Sequence, residues 1–369
     1  MSEIKECAIV GGGLAGLVGY ATLRHRGLAP AEIDVFGTDA DPAGQWRRRA
    51  AAIRQRRMRS ESDGHCAPRS FPGLAVRASL RNKSPLPLVE SWLDRYHPTV
   101  REFLEHVEEV RAESGWDESF RHRRVKRIRA VDGGFDLDGF GCFRHVLVAT
   151  GHPGLAFPQE LEGDPRTVHA YEPHEYAERV EIVGAGMAAA TEWLNALAAG
   201  SDVVSVRRRE PERRPLNLPR QLFTRRGLTA YHDTRPDERR ALLGRWSMPS
   251  YPAGRTWDEP VERAALAGRF RVAAELNGAD QVICATGFRR GFAHDPLLEA
   301  LVAEHGLATA GNWIVLEPDS TVGSLTNVER TLAIAGVAGQ WAFPAADTLM
   351  GAKYAARGFL RKVMACRSR

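Results

Sequence analysis

Two glycine-rich turns, one at the start of the chain and one near its middle, constrain the fold more than any other feature. The first turn reads GGGLAG at Gly11–Gly16 and follows the apolar run Cys7–Val10. The second reads GAGMAA at Gly184–Ala189 and follows the similar run Val180–Val183. Each lies between a strand-like and a helix-like run, as a dinucleotide-binding fingerprint does. The repetition predicts one chain that holds two nucleotide cofactors, and we expect a flavin and a nicotinamide.

Each glycine of such a fingerprint has its own steric task. The first permits the tight turn from strand to helix, the second lets the backbone approach the pyrophosphate, and the third lets helix and strand pack closely. The pyrophosphate then lies at the positive end of the helix, against unpaired N–H groups. In the second turn Ala189 stands in for the third glycine. A glycine-rich loop without a ligand is the alternative at either position.

The segments around the turns predict an α/β fold with two Rossmann-like dinucleotide-binding domains. Strand-like runs at Glu32–Phe36 and Asp202–Val206 complete a β-α-β unit after each turn. Further buried strands are expected at Phe143–Ala149 and Thr331–Gly336. The fold class therefore follows from two repeated strand–turn–helix units.

Three other segments carry structural expectations. Residues 39–87 show no long hydrophobic period, so we expect an irregular excursion over a cofactor. Residues 98–114 have helical apolar spacing, with Thr99 near the start. A final helix is predicted from Asp347 to Met364. The Arg- and Pro-rich stretch 210–257 is unlike a Rossmann core, and we expect it to recognise substrate or form a lid. A structural elaboration packed on the second domain is the equal alternative.

Composition narrows the function classes. The chain has 369 residues, 43% hydrophobic and 26% charged, which is typical of a globular enzyme. Its net charge of +5 comes from scattered arginines without a nucleic-acid-binding motif, so no nucleic acid is expected. Five cysteines without a CxxC pair indicate neither a metal site nor a redox dithiol. No membrane span or signal peptide is predicted, so the cytoplasm is the expected location. The sequence leaves the oligomeric state open, a homodimer being one option.

Beyond the two turns, the chain resembles the two-dinucleotide-domain flavoproteins, and within them class B flavin-dependent monooxygenases. PAGQWR at residues 42–47 resembles a GGxWR segment of that family. Val146–Gly151 and Val282–Phe288 resemble its two ATG strands, where the chain passes between domains. Leu161–Gly163 with His169 and Tyr171 is similar to the family's FxGxxxHxxx(Y/W) signature, although leucine replaces phenylalanine and the spacing is longer.

The resemblance implies an FAD-binding domain, residues 1–157 and 290–369, interrupted by an NAD(P)H-binding domain at residues 158–289. It places the adenosine, pyrophosphate and flavin of FAD near one set of residues and NADPH near another. The FAD set is Gly11, Gly13, Leu14, Ala15, Gly16, Asp39, Gln45, Trp46, Val125, Thr150, Gly151, Asp347 and Thr348. The NADPH set is Gly184, Gly186, Met187, Ala188, Ala189, Arg207, Arg208 and Thr286.

Two positions decide how the cofactor riboses are held. The acid that normally binds the FAD ribose would fall near Gly37, so Asp39 is the substitute, with backbone groups or a solvated Asp39 as alternatives. In the second domain Arg207–Arg209 follow the strand that faces the adenosine ribose. Arginine there accommodates a 2′-phosphate, so we predict a preference for NADPH over NADH. A solvated basic run is the alternative.

Near the flavin the sequence offers candidates without a defined catalytic role. Asp347 precedes the last predicted helix, so it is expected to cap that helix, to contact the ribityl or phosphate region, or both. Arg59, Asp63, His65 and Cys66 lie in the excursion and are candidates for lining the flavin site, although each alone fits loop structure or solvated surface better. No nucleophile or acid–base pair is indicated.

The resemblance implies an FAD- and NADPH-dependent monooxygenase. NADPH would reduce the flavin, and O₂ would give a C4a-(hydro)peroxyflavin that oxygenates a small molecule at N, S or a carbonyl carbon. One alternative is a flavoprotein reductase or dehydrogenase that passes electrons to another acceptor. The other is a non-catalytic nucleotide-binding flavoprotein. The sequence leaves both open, and the substrate undefined.

Overall fold

The computed structural model describes residues 4–69, 71–93, 95–216, 218–246 and 248–368. The side chain of Asp63, a candidate for lining the flavin site, lies outside the described part. So does the whole of Asn217, which falls in the stretch 210–257. The strands are β1 (Ile4–Val10), β2 (Ile33–Gly37), β3 (Phe120–His122), β4 (Ile128–Val131), β5 (Gly134–Leu137), β6 (Cys142–Val148), β7 (Thr167–His169), β8 (Arg179–Val183), β9 (Asp202–Val206), β10 (Glu212–Arg213), β11 (Ser250–Tyr251), β12 (Phe270–Ala273), β13 (Gln281–Cys284), β14 (Thr309–Ala310), β15 (Trp313–Ile314) and β16 (Thr331–Ile334).

The helices alternate with these strands, as the sequence predicts for an α/β fold. They are α1 (Leu14–His25), α2 (Gly44–Ala52), α3 (Leu74–Asn82), α4 (Leu86–Trp92), α5 (Val100–Ser114), α6 (Trp116–Ser119), α7 (Met187–Ala199), α8 (Arg225–His232), α9 (Pro236–Trp246), α10 (Arg255–Leu266), α11 (Pro296–His305) and α12 (Leu349–Arg367).

The larger sheet contains both the first strand of the chain, β1, and the last, β16. Its strand order is β3-β2-β1-β6-β5-β4, and β16 pairs with the end of β6. β1 lies parallel between β2 and β6, with Cys7 opposite Ile33 on one side and His145 on the other. Strands buried on both faces are almost wholly apolar, which explains the hydrophobic run Cys7–Val10 in the buried second half of β1. Helices α1, α5 and α12 contribute to the core on one face of this sheet.

The second sheet is built from the middle of the chain. Its order is β12-β9-β8-β13-β7, and every pairing is parallel. α7 packs on it through Ala189, Trp193 and Ala196, all buried. The predicted α/β class with two Rossmann-like sheets is confirmed. Cys7 and Cys284 are fully buried in the first and second sheets.

The expectation of an irregular excursion over residues 39–87 is wrong, because three helices lie there. α2 carries the PAGQWR segment, and α3 and α4 form a hairpin. High arginine content masked α2, although arginine and alanine are both good helix formers. The hairpin exposes large apolar side chains, with Trp92 83% and Leu80 76% accessible. The helix after it does begin where predicted, since Thr99 and Glu102 form a capping box.

The stretch 210–257 folds into α8, α9 and two short strands, and it crosses back to the larger sheet. Tyr231 and Leu243 belong to the hydrophobic core that β6 and β16 also form. The Tyr231 hydroxyl donates to the Trp341 carbonyl at 3.1 Å, and His232 Nε2 lies 2.7 Å from the Ala342 carbonyl oxygen. The alternative in which this stretch packs on the second domain is therefore wrong for α8 and α9. They cover the segment that leads into α12.

Candidate functional site

The first glycine-rich turn has the geometry that its spacing predicts. Gly11 has φ +133°, and its N–H donates to the Phe36 carbonyl at 2.9 Å. A Cβ at Gly11 would lie 2.1 Å from the Ala149 carbonyl oxygen, and one at Gly16 would lie 2.0 Å from the Gly11 carbonyl oxygen. Both positions therefore exclude a side chain, the first because of the turn and the second because of helix–strand packing.

Gly13 differs from those two glycines. A Cβ there would meet nothing within 4 Å, so the space beside it is open. Gly13 is also the N-cap of α1, and no side chain caps that helix. The first-turn N–H groups lack intrahelical acceptors and point towards this open space. The arrangement fits a pyrophosphate, because only the backbone lines the approach to the positive helix end.

The second turn repeats the same connections 173 residues later, from position 11 to position 184. Gly184 has φ +129°, and its N–H donates to the Val206 carbonyl at 3.1 Å. A Cβ at Gly184 would lie 2.6 Å from the Ala285 carbonyl oxygen. α7 then begins after Gly186, again without a side-chain cap. Both turns are thus seated against the end of an ATG strand, so the two sheets carry equivalent glycine turns.

The residues that follow the two ATG strands meet in one aromatic stack. Phe288 lies 4.5 Å from the ring of His152 and 4.7 Å from the ring of Tyr171. His169 stacks on Tyr171 at 5.7 Å, and the Arg49 guanidinium lies 4.5 Å from the centre of the Phe288 ring. The signature residues His169 and Tyr171 therefore belong to the junction of the two sheets, although their spacing departs from the family pattern.

The stack has a distinct electrostatic character. Burial, together with the nearby Arg290, lowers the pKa of His152 to about 4, in spite of the opposing effect of Asp347. Its imidazole is therefore neutral at pH 7. Burial also lowers the pKa of Arg49 and raises that of Tyr171 to about 12. The junction thus presents a neutral imidazole and an undissociated phenol beside two arginines.

Asp347 does not cap the last helix, contrary to one expectation. Thr348 is the N-cap of α12, and its Oγ1 accepts from the Gly351 N–H at 3.1 Å. Asp347 Oδ2 instead lies 3.4 Å from Arg290 Nη2, and Arg290 Nη1 lies 3.5 Å from Gln340 Oε1. Threonine, like aspartate, is among the preferred N-cap residues, which is why the sequence did not separate the two. The predicted contact of Asp347 with FAD stays a prediction.

Asp39 lies beside the first glycine turn, and its carboxylate is engaged locally. Its Oδ2 pairs with Arg48 at 3.1 Å and its Oδ1 accepts from the Asp41 N–H at 3.1 Å. Burial raises the pKa of Asp39 less than these two donors lower it, so the group is ionised. Gln45 and Trp46 follow on α2, where Gln45 is exposed and Trp46 packs on Phe103 at 4.6 Å.

The two arginines predicted to select NADPH have different surroundings. Arg207 is 12% exposed, pairs with Glu210 at 2.9 Å and lies 5.4 Å over the Trp193 ring. Arg208 is 88% exposed, and its nearest acidic partner, Glu160, is 3.8 Å away. Arg208 is therefore the freer of the two to meet a phosphate, whereas Arg207 would have to give up existing contacts.

Arg59 does not join the aromatic stack. Its guanidinium donates to the carbonyl oxygens of Arg214, Leu216 and Ser250 at 2.8–3.1 Å, so it ties the segment after α2 to the 210–257 stretch. Loop structure, the alternative considered for Arg59, accounts for these contacts. Its role in lining the flavin site stays a prediction.

His65 and Cys66 belong to a buried cluster that the sequence did not reveal. His65 Nδ1 lies 3.1 Å from Lys353 Nζ, and its ring lies 4.6 Å from that of His106, which accepts from the Cys66 N–H. Burial lowers the pKa of Lys353 to about 8 and that of His106 to about 3. Burial also raises the pKa of the Cys66 thiol to about 12, so it is no thiolate at pH 7.

The remaining predicted residues fall into two groups. Thr150 and Gly151 end the first ATG strand, and Thr286 ends the second and donates to the Ala156 carbonyl. Val125 is buried in the hydrophobic core that also contains Val146 and Val148 of β6. His152, Arg49 and Arg290 lie at the junction but are not among the site residues that the sequence predicts. The signal for His152 was available, since it directly follows the glycine of an ATG strand.

No protein-family model matches the chain, and no curated protein matches it either. Solved structures do match. An ornithine N-hydroxylase of Kutzneria sp. 744, containing reduced FAD, NADP⁺ and L-ornithine, has TM-score 0.72 and 15% identity, covering 98% of this chain and 99% of that one. The FAD-bound cadaverine monooxygenase of Erwinia amylovora has TM-score 0.72 and 11% identity, covering 98% and 94%. Bacillithiol disulfide reductase from Bacillus cereus has TM-score 0.60 and 14% identity, covering 99% and 100%. The chain is similar to all three over its whole length and has their two-dinucleotide-domain flavoprotein fold.

Proposed function

We propose that this protein is an FAD- and NADPH-dependent monooxygenase that oxygenates a small molecule. The observation that carries the proposal is the pair of equivalent glycine turns whose ATG strands lead into one stack, with His152 and Phe288 in contact. Two dinucleotides bound at these turns would direct their reactive rings towards the same junction. The similarity to two amine monooxygenases over the whole chain supports the same reading.

We propose the domain division that the sequence predicts. Strands from residues 4–148 and 331–334 share the larger sheet, in keeping with an FAD domain at 1–157 and 290–369. Strands between residues 167 and 284 share the second sheet, in keeping with an NADPH domain at 158–289. FAD would then bind at the N-terminus of α1 and NADPH at that of α7, because both helix ends are uncapped.

When bound, FAD supplies hydride acceptance and the reaction with O₂. The chain's own task is to bind, orient and exclude water. The neutral imidazole of His152 accepts or donates one hydrogen bond without adding charge at the junction. α8 and α9 cover the segment before α12 and so shield that side from solvent. Arg290 and Asp347 hold that segment through their ion pair.

For the substrate we propose a small molecule oxygenated at nitrogen, with sulfur or a carbonyl carbon as the further classes. Nitrogen comes first because two of the similar structures, at TM-score 0.72, are an ornithine N-hydroxylase and a cadaverine monooxygenase. Recognition would fall to the 210–257 stretch, which α8 and α9 anchor beside residues 341–342.

A disulfide reductase has the same fold, so the cysteines decide between the two activities. Burial raises the pKa of the Cys7, Cys66 and Cys284 thiols, Cys66 to about 12 and Cys284 to about 11. A thiol must ionise to exchange with a disulfide. These three are therefore unsuited to the reaction, and none of the five cysteines belongs to a CxxC pair, which favours O₂ as the electron acceptor.

We propose that the chain forms a homodimer through the α3–α4 hairpin. Phe71, Leu80, Leu86 and Trp92 expose between 58% and 83% of their surface on this one hairpin. Exposed apolar clusters of this kind mark contact surfaces. A two-fold contact would place this apolar surface against its own copy.

Oxygen uptake tests the proposed activity. FAD-loaded protein is mixed with NADPH and a panel of diamines, amino acids, thioethers and ketones while O₂ and H₂O₂ are followed. We expect one class to raise O₂ uptake while lowering the fraction released as H₂O₂. NADPH oxidation that needs an added quinone or disulfide, and ignores O₂, would establish a reductase instead.

A further inference from the structure

A cavity of about 650 Å³ lies between α7, α10 and the loop after α2, and it touches the second glycine turn only through Met187. Its volume is that of a small-molecule site. The α7 wall consists of residues that recur on one helical face, from Met187 through Thr191 and Leu194 to Ala198. The opposite face of α7 packs on the second sheet through Ala189 and Trp193. The cavity therefore lies on the outer flank of α7, and only Met187 is shared with the dinucleotide position.

The charged residues of the cavity wall are all arginines. They are Arg54, Arg56, Arg57, Arg263 and Arg269, and none of the other residues lining the wall is acidic.

Three of these arginines are neutralised by acids outside the wall. Arg54 pairs with Glu175 at 2.8 Å, Arg263 with Glu259 at 2.9 Å, and Arg269 lies 3.6 Å from Asp202.

The other two arginines are adjacent in the loop after α2. Arg57 donates to the His97 carbonyl at 3.0 Å, a bond that leaves its charge uncompensated. Arg56 is exposed and forms no ion pair within the described part of the chain. Arg56 and Arg57 are consecutive residues of the wall and neither is paired with an acid among the described residues, so the loop side of the cavity is suited to an anion.

The rest of the wall is apolar. Leu194, Trp257, Pro260 and Ala264 line it, and Trp257 is only 4% exposed. The Trp257 ring is held by an edge contact with His97 at 5.0 Å, so the indole forms a fixed surface. A ligand that used both parts of the cavity would need an apolar body and one anionic head.

We propose that this cavity binds an amphipathic anion, a carboxylate or phosphomonoester carrying an aliphatic chain. The head would pair with Arg56 and Arg57, and the chain would lie against Trp257 and α10. The walls come from the loop that follows α2 and from two helices beside the second sheet, so the ligand would bridge both parts of the fold. The binding does not depend on the proposed oxygenase activity.

Calorimetric titration of the FAD-loaded protein tests this site with octanoate, octyl phosphate and octanol as probes. We expect saturable binding of one octanoate or octyl phosphate per chain, at least tenfold tighter than octanol, and unchanged by saturating NADPH. The two anions distinguish a carboxylate from a phosphate site. No saturable binding of either anion, equal binding of octanol, or displacement by NADPH would overturn the proposal.

Matched variants locate the site. Ala198→Trp fills the cavity from an exposed position, whereas Ala199→Trp adds the same bulk beside it, outside the wall. We expect at least a tenfold loss of octanoate affinity for the first and less than a twofold change for the second. Arg56→Gln should weaken octanoate about tenfold, and Arg255→Gln on α10 should not. Equal effects within either pair would contradict the assignment.

Discussion

The imidazole of His152 lies 4.5 Å from the phenyl ring of Phe288, although 136 residues separate them, from position 152 to position 288. Each directly follows the glycine of an ATG strand, and each strand end also seats a glycine turn. The contact therefore joins the ends of the two strands against which the glycine turns are seated. Burial keeps His152 neutral, since it lowers its pKa to about 4.

Gly13→Ala separates cofactor binding from folding. The added methyl would meet no protein atom within 4 Å, so we expect the thermal stability of the FAD-free protein to be unchanged. It would enter the space that the pyrophosphate needs, so FAD affinity should fall at least tenfold. Gly244→Ala in α9 is the control, since that position is equally open and far from the turn. Full FAD retention by Gly13→Ala, measured by fluorescence titration, would refute the assignment.

Arg208→Ala should reduce the preference for NADPH more than Arg207→Ala. A charge-assisted bond to the 2′-phosphate contributes roughly 1.5–3 kcal/mol, or about one to two decades in affinity. Arg208 is exposed and available for that bond, whereas Arg207 is held by Glu210 and Trp193. Flavin reduction by NADPH and by NADH is compared for each variant. Equal use of both nucleotides by the wild type contradicts the prediction.

Lys353→Met should stabilise the protein at pH 7. The buried ammonium has a pKa of about 8, below its ordinary value of 10.5, so the folded state binds this proton less tightly than the unfolded state. Below pH 8 both states are protonated and the burial cost, up to about 3 kcal/mol, is fully present. Between pH 8 and 10.5 the folded wild type releases the proton first, so its stability rises towards that of the variant.

Urea unfolding of both proteins from pH 7 to 10 checks this. The difference in unfolding free energy should be largest at pH 7 and shrink above pH 8. Titrating groups that do not interact with Lys353 are common to both proteins and cancel in the difference. A difference that is constant with pH, or a variant less stable at pH 7, would show that the ammonium is not penalised by burial.

The double variant Leu86→Lys and Trp92→Lys should convert a dimer into a monomer. Both side chains are more than half exposed on the α3–α4 hairpin. Leu266→Lys on α10 is the control, because Leu266 is 92% exposed on a different surface. Sedimentation equilibrium gives the masses. A wild type that sediments as a monomer would exclude the proposed contact. So would a monomer that binds anionic lipid vesicles through the hairpin in a flotation assay.

The sequence predicted local structure better than the contacts between residues that are distant along the chain. Gly11 and Gly184 are identifiable because a tight turn against an ATG strand tolerates no side chain. The contact between His152 and Phe288 was not predictable, since it depends on how the two sheets are placed. The packing of Tyr231 on the segment before α12 was missed for the same reason. At α12 two adjacent residues could each cap the helix, and only the structure identifies Thr348.

Membrane association through a spanning helix is not supported by the described residues, where every helix is too short or too polar to cross a bilayer. The exposed apolar hairpin consists of α3 and α4, of 9 and 7 residues. Neither is long enough to span, since about 20 residues are required.

Anaerobic reduction followed by rapid mixing with O₂ tests the central claim most directly. FAD-loaded protein is reduced with one equivalent of NADPH, O₂ is admitted in a stopped-flow instrument, and the flavin spectrum is recorded with NADP⁺ present. A monooxygenase should give a long-lived spectrum that is neither that of reduced nor that of oxidised FAD, and a substrate amine should shorten its lifetime. Direct return of oxidised FAD in one step, with every substrate class tested, would contradict the proposed function.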